Sequence, residues 1–236
     1  MSAVERRRRG RAEAGVRNAR TFFDIAERAF NLVGLDTAAD NLRRYRSGVG
    51  GTRRYDDDEI ESHLPVAEAE DTNRTQFEAD TFTGRTGSEK AAEAMLGVRD
   101  GETRRFTDYW QAPLDYRSAL RQRPAASLRR GLNADTYASF GQGEVMSRGT
   151  FTVSRRGNNL TVEGEVGHGF DPSETDNLYD FNEGALGGRA ASRLEQAGDA
   201  APFRMQYDRR QDVHAQVRRE PDGSLTVRDV RWGRVR

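Results

Sequence analysis

The chain has 236 residues, of which 35% are hydrophobic and 32% charged, so it can fold as one large domain or two small ones around a core of modest size. It has no cysteine, which excludes a disulfide framework and a thiolate zinc site. The three histidines, His63, His168 and His214, lie far apart in sequence, so we do not expect a metal enzyme built on histidine.

Charge is segregated along the chain although it sums to zero. Residues 1–54 carry 13 arginines and six acids, a net charge of +7, whereas residues 55–83 carry ten acids and one arginine, a net charge of −9. Two helical faces that attract each other explain this pattern, and so does an arginine-rich arm that binds nucleic acid or an anionic membrane surface. The arginines of this arm are Arg6, Arg7, Arg8, Arg9 and Arg11.

No run of about 18 apolar residues exists, so the sequence predicts no transmembrane segment. The first 15 residues have positive charge without an apolar stretch behind it, so no signal peptide is predicted. We therefore expect a protein made in the cytoplasm which, if exported, acts in the periplasm of a target cell or inside a phage-like particle.

Helical periodicity governs the first part of the chain. An apolar stripe at helical spacing from Val16 to Val33 predicts a helix that Gly34 ends. Thr37 with Asp40 predicts a capping box for a second helix over residues 38–46. The acids of residues 56–59 predict the first turn of a third helix, which we expect Pro65 to end. Residues 72–96 mix weak helical and turn signals, and we interpret them as a connector.

From about residue 105 the apolar residues recur at every second position, as in a β-strand. Residues 143–168 predict a hairpin with Gly157 and Asn158 in its turn, and residues 212–233 predict a second hairpin around residues 221–223. An acidic stretch, a helix within residues 183–200 and a strand at residues 202–207 lie between them. Residues 106–117 are typical of a chain that crosses the mouth of a sheet, and residues 123–132 predict a short helix. The sequence thus predicts an α+β protein with a helical segment over residues 1–104 and an antiparallel β-rich domain over residues 105–236 that folds alone.

The acidic stretch, GHGFDPSETDNLYDFNEGALGGR over residues 167–189, contains the candidate site. It places up to four carboxylates within ten residues, including Asp176 and Asp180, ahead of Arg189. Carboxylates can hold a divalent cation while an arginine binds a phosphate bidentately. Asp and Asn are also favoured in turns, so the same residues fit an ordinary turn at a strand end.

The order of these segments resembles the catalytic domain of colicin M and related bacteriocins. The resemblance covers about residues 140–220 and rests chiefly on GTFTV at residues 149–153, on Gly164 and on Tyr179-Asp180-x-Asn182. Those proteins have a half-open β-barrel and cleave the undecaprenyl-pyrophosphate link of lipid II in the periplasm. The resemblance implies a half-open, barrel-like domain with a helix inserted between hairpins, and an envelope-directed toxin or hydrolase that acts on a lipid-linked phosphate substrate with Mg²⁺.

The family pattern has an aspartate two residues before a Tyr-Asp pair and a His-Arg pair some residues later. Tyr179 and Asp180 match it, Arg189 stands for the arginine, and Asp176 lies next to the position of the first aspartate, which is asparagine here. The resemblance implies that these four residues are catalytic and that Asp176 and Asp180 bind the metal. Glycines fall at the histidine position, and His168 or Asp171 is the candidate to replace it.

Because the family pattern is incomplete, a non-enzymatic reading stays open. In it the chain is a structural or assembly component of a phage-like particle or secretion device. It would use the barrel as a scaffold and bind protein partners through residues 1–54.

Overall fold

The computed structural model describes residues 2–115, 138–140, 143–170, 178–179 and 188–236. The helices are α1 (Ala3–Leu32), α2 (Asp36–Arg46), α3 (Asp57–Glu61), α4 (Leu64–Gln76), α5 (Glu89–Gly97) and α6 (Gly188–Ala197), and a π-helical turn (Phe77–Thr81) extends α4. The strands are β1 (Thr52–Arg54), β2 (Thr103–Pro113), β3 (Glu144–Arg156), β4 (Asn159–Phe170), β5 (Leu178–Tyr179), β6 (Phe203–Gln206), β7 (Asp208–Arg219) and β8 (Leu225–Trp232). The α+β class and the helix between two hairpins are therefore confirmed. No helix among these residues is long and apolar enough to cross a membrane.

Five strands form an antiparallel sheet in the order β2-β3-β4-β7-β8. Its edge strands β2 and β8 do not pair with each other, so the sheet is not closed into a barrel. A second sheet has the order β1-β6-β5, in which β1 and β6 are parallel and β5 and β6 antiparallel. Because β1 lies in the N-terminal part of the chain and β6 in the C-terminal part, the small sheet ties the two parts together.

Both predicted hairpins are present. Arg156 pairs with Asn159, which leaves Gly157 and Asn158 as a two-residue turn. Gly157 has a φ of 58°, a left-handed conformation that glycine adopts without a steric penalty. The second hairpin joins β7 to β8 and has an irregular register between residues 216 and 217. The predicted strand at residues 202–207 is also present as β6.

The helical part departs from the prediction at its caps. The predicted capping box of Thr37 and Asp40 is wrong, because α2 begins at Asp36 and its N-cap residue makes no side-chain hydrogen bond. Thr37 is buried instead, with its hydroxyl 3.2 Å from Nε2 of His63. Pro65 does not end α3. It lies in the first turn of α4, where a backbone N–H has no helical partner and proline's lack of one costs nothing.

The structure bears on three further predictions. The predicted connector over residues 72–96 is mostly helical, because it contains the end of α4, the π-helical turn and α5. The arginine-rich arm forms the first turns of α1, and Arg9 pairs there with Glu13 at 3.0 Å. Residues 106–113 form part of edge strand β2. The short helix predicted over residues 123–132 lies outside the described residues.

Two apolar cores hold the elements together. The first lies between α1, α2, α4, α6 and the small sheet, and joins Phe23 to Phe203. The second lies between α5, the π-helical turn and the five-stranded sheet, and joins Met95 to Val162. Each core contains side chains from both sides of residue 104, so the packing spans the predicted domain boundary, which itself stays a prediction.

Candidate functional site

Tyr179 is a buried anchor of the acidic stretch. It lies in β5, is 6% exposed, and its ring stacks on Phe203 with the ring centroids 5.0 Å apart. The ring also meets Tyr45 edge-on at 6.4 Å. A side chain in this position packs and fixes the backbone next to Asp180, and it does not face solvent.

Arg189 has the opposite character, because it is exposed in the first turn of α6. Asp176 and Asp180 lie outside the described residues, and so does Asp171, so the predicted Mg²⁺ pair stays a prediction. Within the ranges that the structure describes, no group of three or more His, Asp or Glu side chains could hold a metal ion.

Helix α6 carries Arg189 on a well-anchored element. Ala191 and Leu194 are buried in the first core, and the hydroxyl of Tyr45 donates a hydrogen bond to Glu195. Arg20 of α1 contacts Asp199 at 2.7 Å just beyond the helix. The helix is thus fixed to α1 and α2, so the backbone of Arg189 at its start also has a fixed position.

A buried polar network lies at the end of β4 that leads into the acidic stretch. Ser147 and His168 are 0% and 1% exposed, and the Ser147 hydroxyl lies 2.7 Å from Nδ1 of the imidazole. Asn73 donates to that hydroxyl and to the carbonyl of Val145, both at 2.9 Å. Since the amide supplies one hydrogen to the Ser147 oxygen, we assign the hydroxyl hydrogen to Nδ1 of a neutral imidazole.

The electrostatic surroundings keep His168 neutral. Burial, together with the positive charges of Arg74 and Arg209, lowers the pKa of His168 to about 4. Arg209 faces His168 across the β4–β7 pair. The cations beside this imidazole therefore oppose any uptake of a proton near neutral pH.

Arg209 is itself buried among carboxylates. Its side chain is 6% exposed and contacts Glu61 at 2.8 Å, Glu70 at 3.5 Å and Asp57 at 3.7 Å. Burial raises the pKa of Glu70, although Arg209 and Arg74 oppose that rise. This ion cluster joins α3 and α4 to β7 and explains why charged residues are found in the interior.

A serine hydroxyl on an imidazole is an arrangement that nucleophilic catalysis can use, but a substrate must be able to reach it. Neither Ser147 nor His168 is accessible to solvent, so this pair stabilises the interior of the fold. The burial of His168 counts against its taking the place of the family histidine. Asn73 and Ser147 lie 74 positions apart on different elements, so no spacing in the sequence could have indicated their contact.

The glycines on which the family resemblance rests have a packing role. A Cβ atom at Gly149 would lie 2.0 Å from the ring of Phe151, and one at Gly164 would lie 2.4 Å from the carbonyl oxygen of Thr150. The two glycines thus make room for Phe151, which contacts the rings of Phe77, Phe82 and Phe106 in the second core. GTFTV and Gly164 fit a sheet with a large aromatic side chain on one face, whatever chemistry the chain performs.

No family model matches the chain, and neither a curated protein nor a solved structure is similar to it at a significant level. The resemblance to colicin M-type domains therefore rests on the residues quoted above. A function must be argued from the fold and the site.

Proposed function

We propose that the chain is an envelope-directed, hydrolase-like domain that cleaves a lipid-linked pyrophosphate, as the lipid II-degrading bacteriocins do. The observation that carries the proposal is the anchoring of the acidic stretch on both sides of Asp180. Tyr179 is fixed before it by the stack on Phe203, and Arg189 is fixed after it at the start of α6. The order of hairpin, acidic stretch, helix, strand and hairpin supports the same proposal.

The proposed chemistry assigns one task to each residue. Asp176 and Asp180 supply carboxylate oxygens, the ligands that Mg²⁺ prefers, and two carboxylates leave room for water and phosphate oxygens around the ion. A bound Mg²⁺ would neutralise phosphate charge and activate water. Arg189 stabilises charge that develops on the phosphate, for which its planar fork is suited. Tyr179 positions Asp180 and does not react.

The proposal includes a half-open barrel, and the two tryptophans support a curved sheet. Trp110 of β2 donates its indole N–H to Thr81 at 2.9 Å, and Trp232 of β8 donates to Glu78 at 2.6 Å. Both acceptors belong to the π-helical turn. Edge strands separated by four spacings would lie about 19 Å apart in a flat sheet. That both edges reach one turn of five residues favours a sheet curled around it.

Hydrolysis of lipid II in the presence of Mg²⁺ tests the proposal through release of the pyrophosphorylated headgroup. Asp180→Asn and Arg189→Ala should each abolish release while the melting temperature stays the same. Arg193→Ala is the matched control, because Arg193 is exposed on the same helix outside the proposed site. Absence of turnover by the unmodified protein with Mg²⁺, Mn²⁺ and Ca²⁺ would end the enzymatic proposal.

An exposed apolar face favours the second candidate, a structural component of a particle or secretion device. Ile25, Leu32 and Val33 near the end of α1 are 63%, 87% and 62% exposed, and Val49 after α2 is 69% exposed. Apolar side chains grouped on a surface are typical of a binding site for another protein. If the chain assembles with itself through this face, sedimentation velocity should show association that depends on concentration and that Leu32→Glu abolishes. A monomer at every concentration would count against self-assembly.

A further inference from the structure

An arginine-lined groove lies between the C-terminal end of α2 and strand β1. Its volume is about 520 Å³, and its charged lining consists of Arg43, Arg44, Arg53, Arg54 and one acid, Asp40. We propose that this groove binds a phosphate-bearing ligand. The proposal does not depend on the function proposed above, because the groove contains none of the residues assigned to that reaction.

The charges of the groove are only partly compensated. Arg43 contacts Glu27 at 3.1 Å and Asp40 at 2.5 Å, and Arg53 contacts Glu59 at 2.5 Å. Arg44 and Arg54 form no ion pair with any carboxylate in the described part of the chain. Two guanidinium groups therefore keep a positive charge that a ligand can neutralise.

Two of the arginines are held in place before any ligand arrives. Arg44 donates through Nη2 to the carbonyl of Gly50 at 2.9 Å and to that of Thr52 at 3.2 Å, and its guanidinium lies over the ring of Phe203 at 5.3 Å. Arg53 lies over the ring of Tyr55 at 4.6 Å. Side chains that are already ordered lose little conformational entropy on binding, so this lining favours affinity.

The lining indicates phosphate as the recognised group. A phosphate presents oxygens in several directions and can accept from more than one guanidinium, whereas a planar carboxylate is satisfied by a single fork. The volume lies within the range of small-molecule sites, about 300–1,000 Å³. None of the described lining residues is aromatic, so they offer no surface on which a base could stack.

The groove and Tyr179 lie at different edges of the small sheet. Strand β1 forms one edge and β5, which carries Tyr179, forms the other, with β6 between them. Two strand spacings amount to about 10 Å. The described lining of the groove shares no residue with the proposed reaction site, so the two can be tested separately.

Isothermal titration calorimetry of the full chain with inorganic pyrophosphate tests the proposal. The titration is made in EDTA, so that metal-dependent binding at the acidic stretch does not contribute. Arg54→Gln should weaken binding about tenfold, the effect of losing one charge-assisted hydrogen bond. Asp40→Asn should strengthen it, because it removes the only acid among the described residues that line the groove.

Arg28→Gln is the matched control. Arg28 is exposed on α1 outside the groove lining and carries the same charge, so its removal should leave the affinity unchanged. Equal weakening by both glutamine substitutions would show a general charge effect and overturn the proposal, as would absence of pyrophosphate binding by the unmodified chain. Asp180→Asn should not alter this titration, so a failure of the proposed hydrolysis and a failure of the groove give different results.

Vesicle sedimentation distinguishes a lipid headgroup from a soluble phosphate ligand. Binding to vesicles of phosphatidylglycerol in phosphatidylcholine, weakened by Arg54→Gln and not by Arg28→Gln, would support a headgroup. Pyrophosphate binding without vesicle binding would support a soluble ligand. Vesicle binding that both substitutions weaken equally would count against the groove as the site of contact.

Discussion

At the scale of single residues, two positions on neighbouring strands show how little space the second core leaves. Gly149 and Gly164 lie beside Phe151, and the atoms closest to a Cβ at Gly164 include backbone atoms that cannot rotate away. Interiors packed to this density respond to a change of one methyl group. A sequence motif at such positions reflects packing before it reflects catalysis.

Gly164→Ala should therefore destabilise the protein by about 1–3 kcal/mol, the usual cost of overpacking a core. Chemical denaturation measures this loss as a lower midpoint with an unchanged slope. Gly10→Ala should instead stabilise the protein. Gly10 lies in α1 with nothing within 4 Å of an added Cβ, and alanine favours the helix. Equal stability of Gly164→Ala and the unmodified chain would contradict the packing described here.

The buried imidazole predicts a loss of stability in acid. The pKa of His168 is about 4 in the folded protein, against 6.5 in an unfolded chain, so the unfolded state binds a proton more readily. The stability that His168 contributes is present above pH 6.5 and is lost as the pH falls towards 4, by about 3 kcal/mol in total. Urea denaturation at several pH values in this window measures it, and His168→Gln should remove this contribution.

Glu70 acts in the opposite sense and supplies the control. Its pKa is raised by burial, so the folded protein takes up this proton before the unfolded chain does, and stability gains from Glu70 as the pH falls. Glu70→Gln removes that gain, so the net loss of stability at low pH should become larger. If His168→Gln in the Glu70→Gln background left the pH dependence unchanged, another group would be responsible.

At the scale of elements, the π-helical turn is the contact point of both edge strands. Thr81 donates to the buried carboxylate of Asp108 at 2.6 Å and accepts from Trp110, so one hydroxyl serves two partners. Asp108 also accepts from Thr86 at 2.6 Å. The turn thus carries polar groups into the interior and satisfies them there, as buried polar groups require.

Thr81→Val should destabilise the fold by about 1–3 kcal/mol, because it leaves the buried carboxylate of Asp108 and the partly buried indole of Trp110 each one partner short. The chain has two tryptophans, Trp110 and Trp232, and both contact this turn, so their fluorescence reports unfolding of the sheet edges directly. Thr83→Val is the control, since the Thr83 hydroxyl donates only to carbonyls of its own turn. Equal effects of both substitutions would show that the Asp108 contact contributes nothing special.

The sequence predicts those elements whose pattern is local. Both hairpins follow from alternation and a turn dipeptide, and the cap of α3 follows from Asp56, which accepts from the Glu59 amide at 2.8 Å. The helices between residues 64 and 97 were harder to predict because buried polar residues such as Glu70 and Asn73 interrupt the apolar stripe of α4. Of the candidate site, the packing role of Tyr179 was predictable from its alternation with polar neighbours. The groove was not, because it is formed by α2 and β1, whose joint lining has no signal at a fixed spacing.

At the scale of the whole molecule, the two cores indicate whether residues 105–236 can fold without the helical segment. Residues 105–236 lack Phe77, Phe82 and Met95, which are fully buried against the five-stranded sheet. Although alternation in the sequence predicts a domain that folds alone, the loss of these side chains leads us to expect a fragment without fixed packing. It should retain far-UV circular dichroism, lose near-UV signals and bind a hydrophobic dye. A sharp thermal transition of the isolated fragment would contradict this expectation and support an independent domain.

The parallel pairing of β1 with β6 has a consequence for how the protein is made. Thr52 pairs with Arg204, and the hydrogen bond from Tyr45 to Glu195 spans 150 positions, so β1 and the first helices reach their C-terminal partners only after most of the chain has been translated. At roughly 5–20 residues per second, a ribosome needs about 8–30 s to synthesise that interval. Throughout this time the apolar stripe of α1 has α2 to pack on but lacks the surface that α6 supplies, so we expect the nascent chain to bind chaperones that recognise exposed hydrophobic segments.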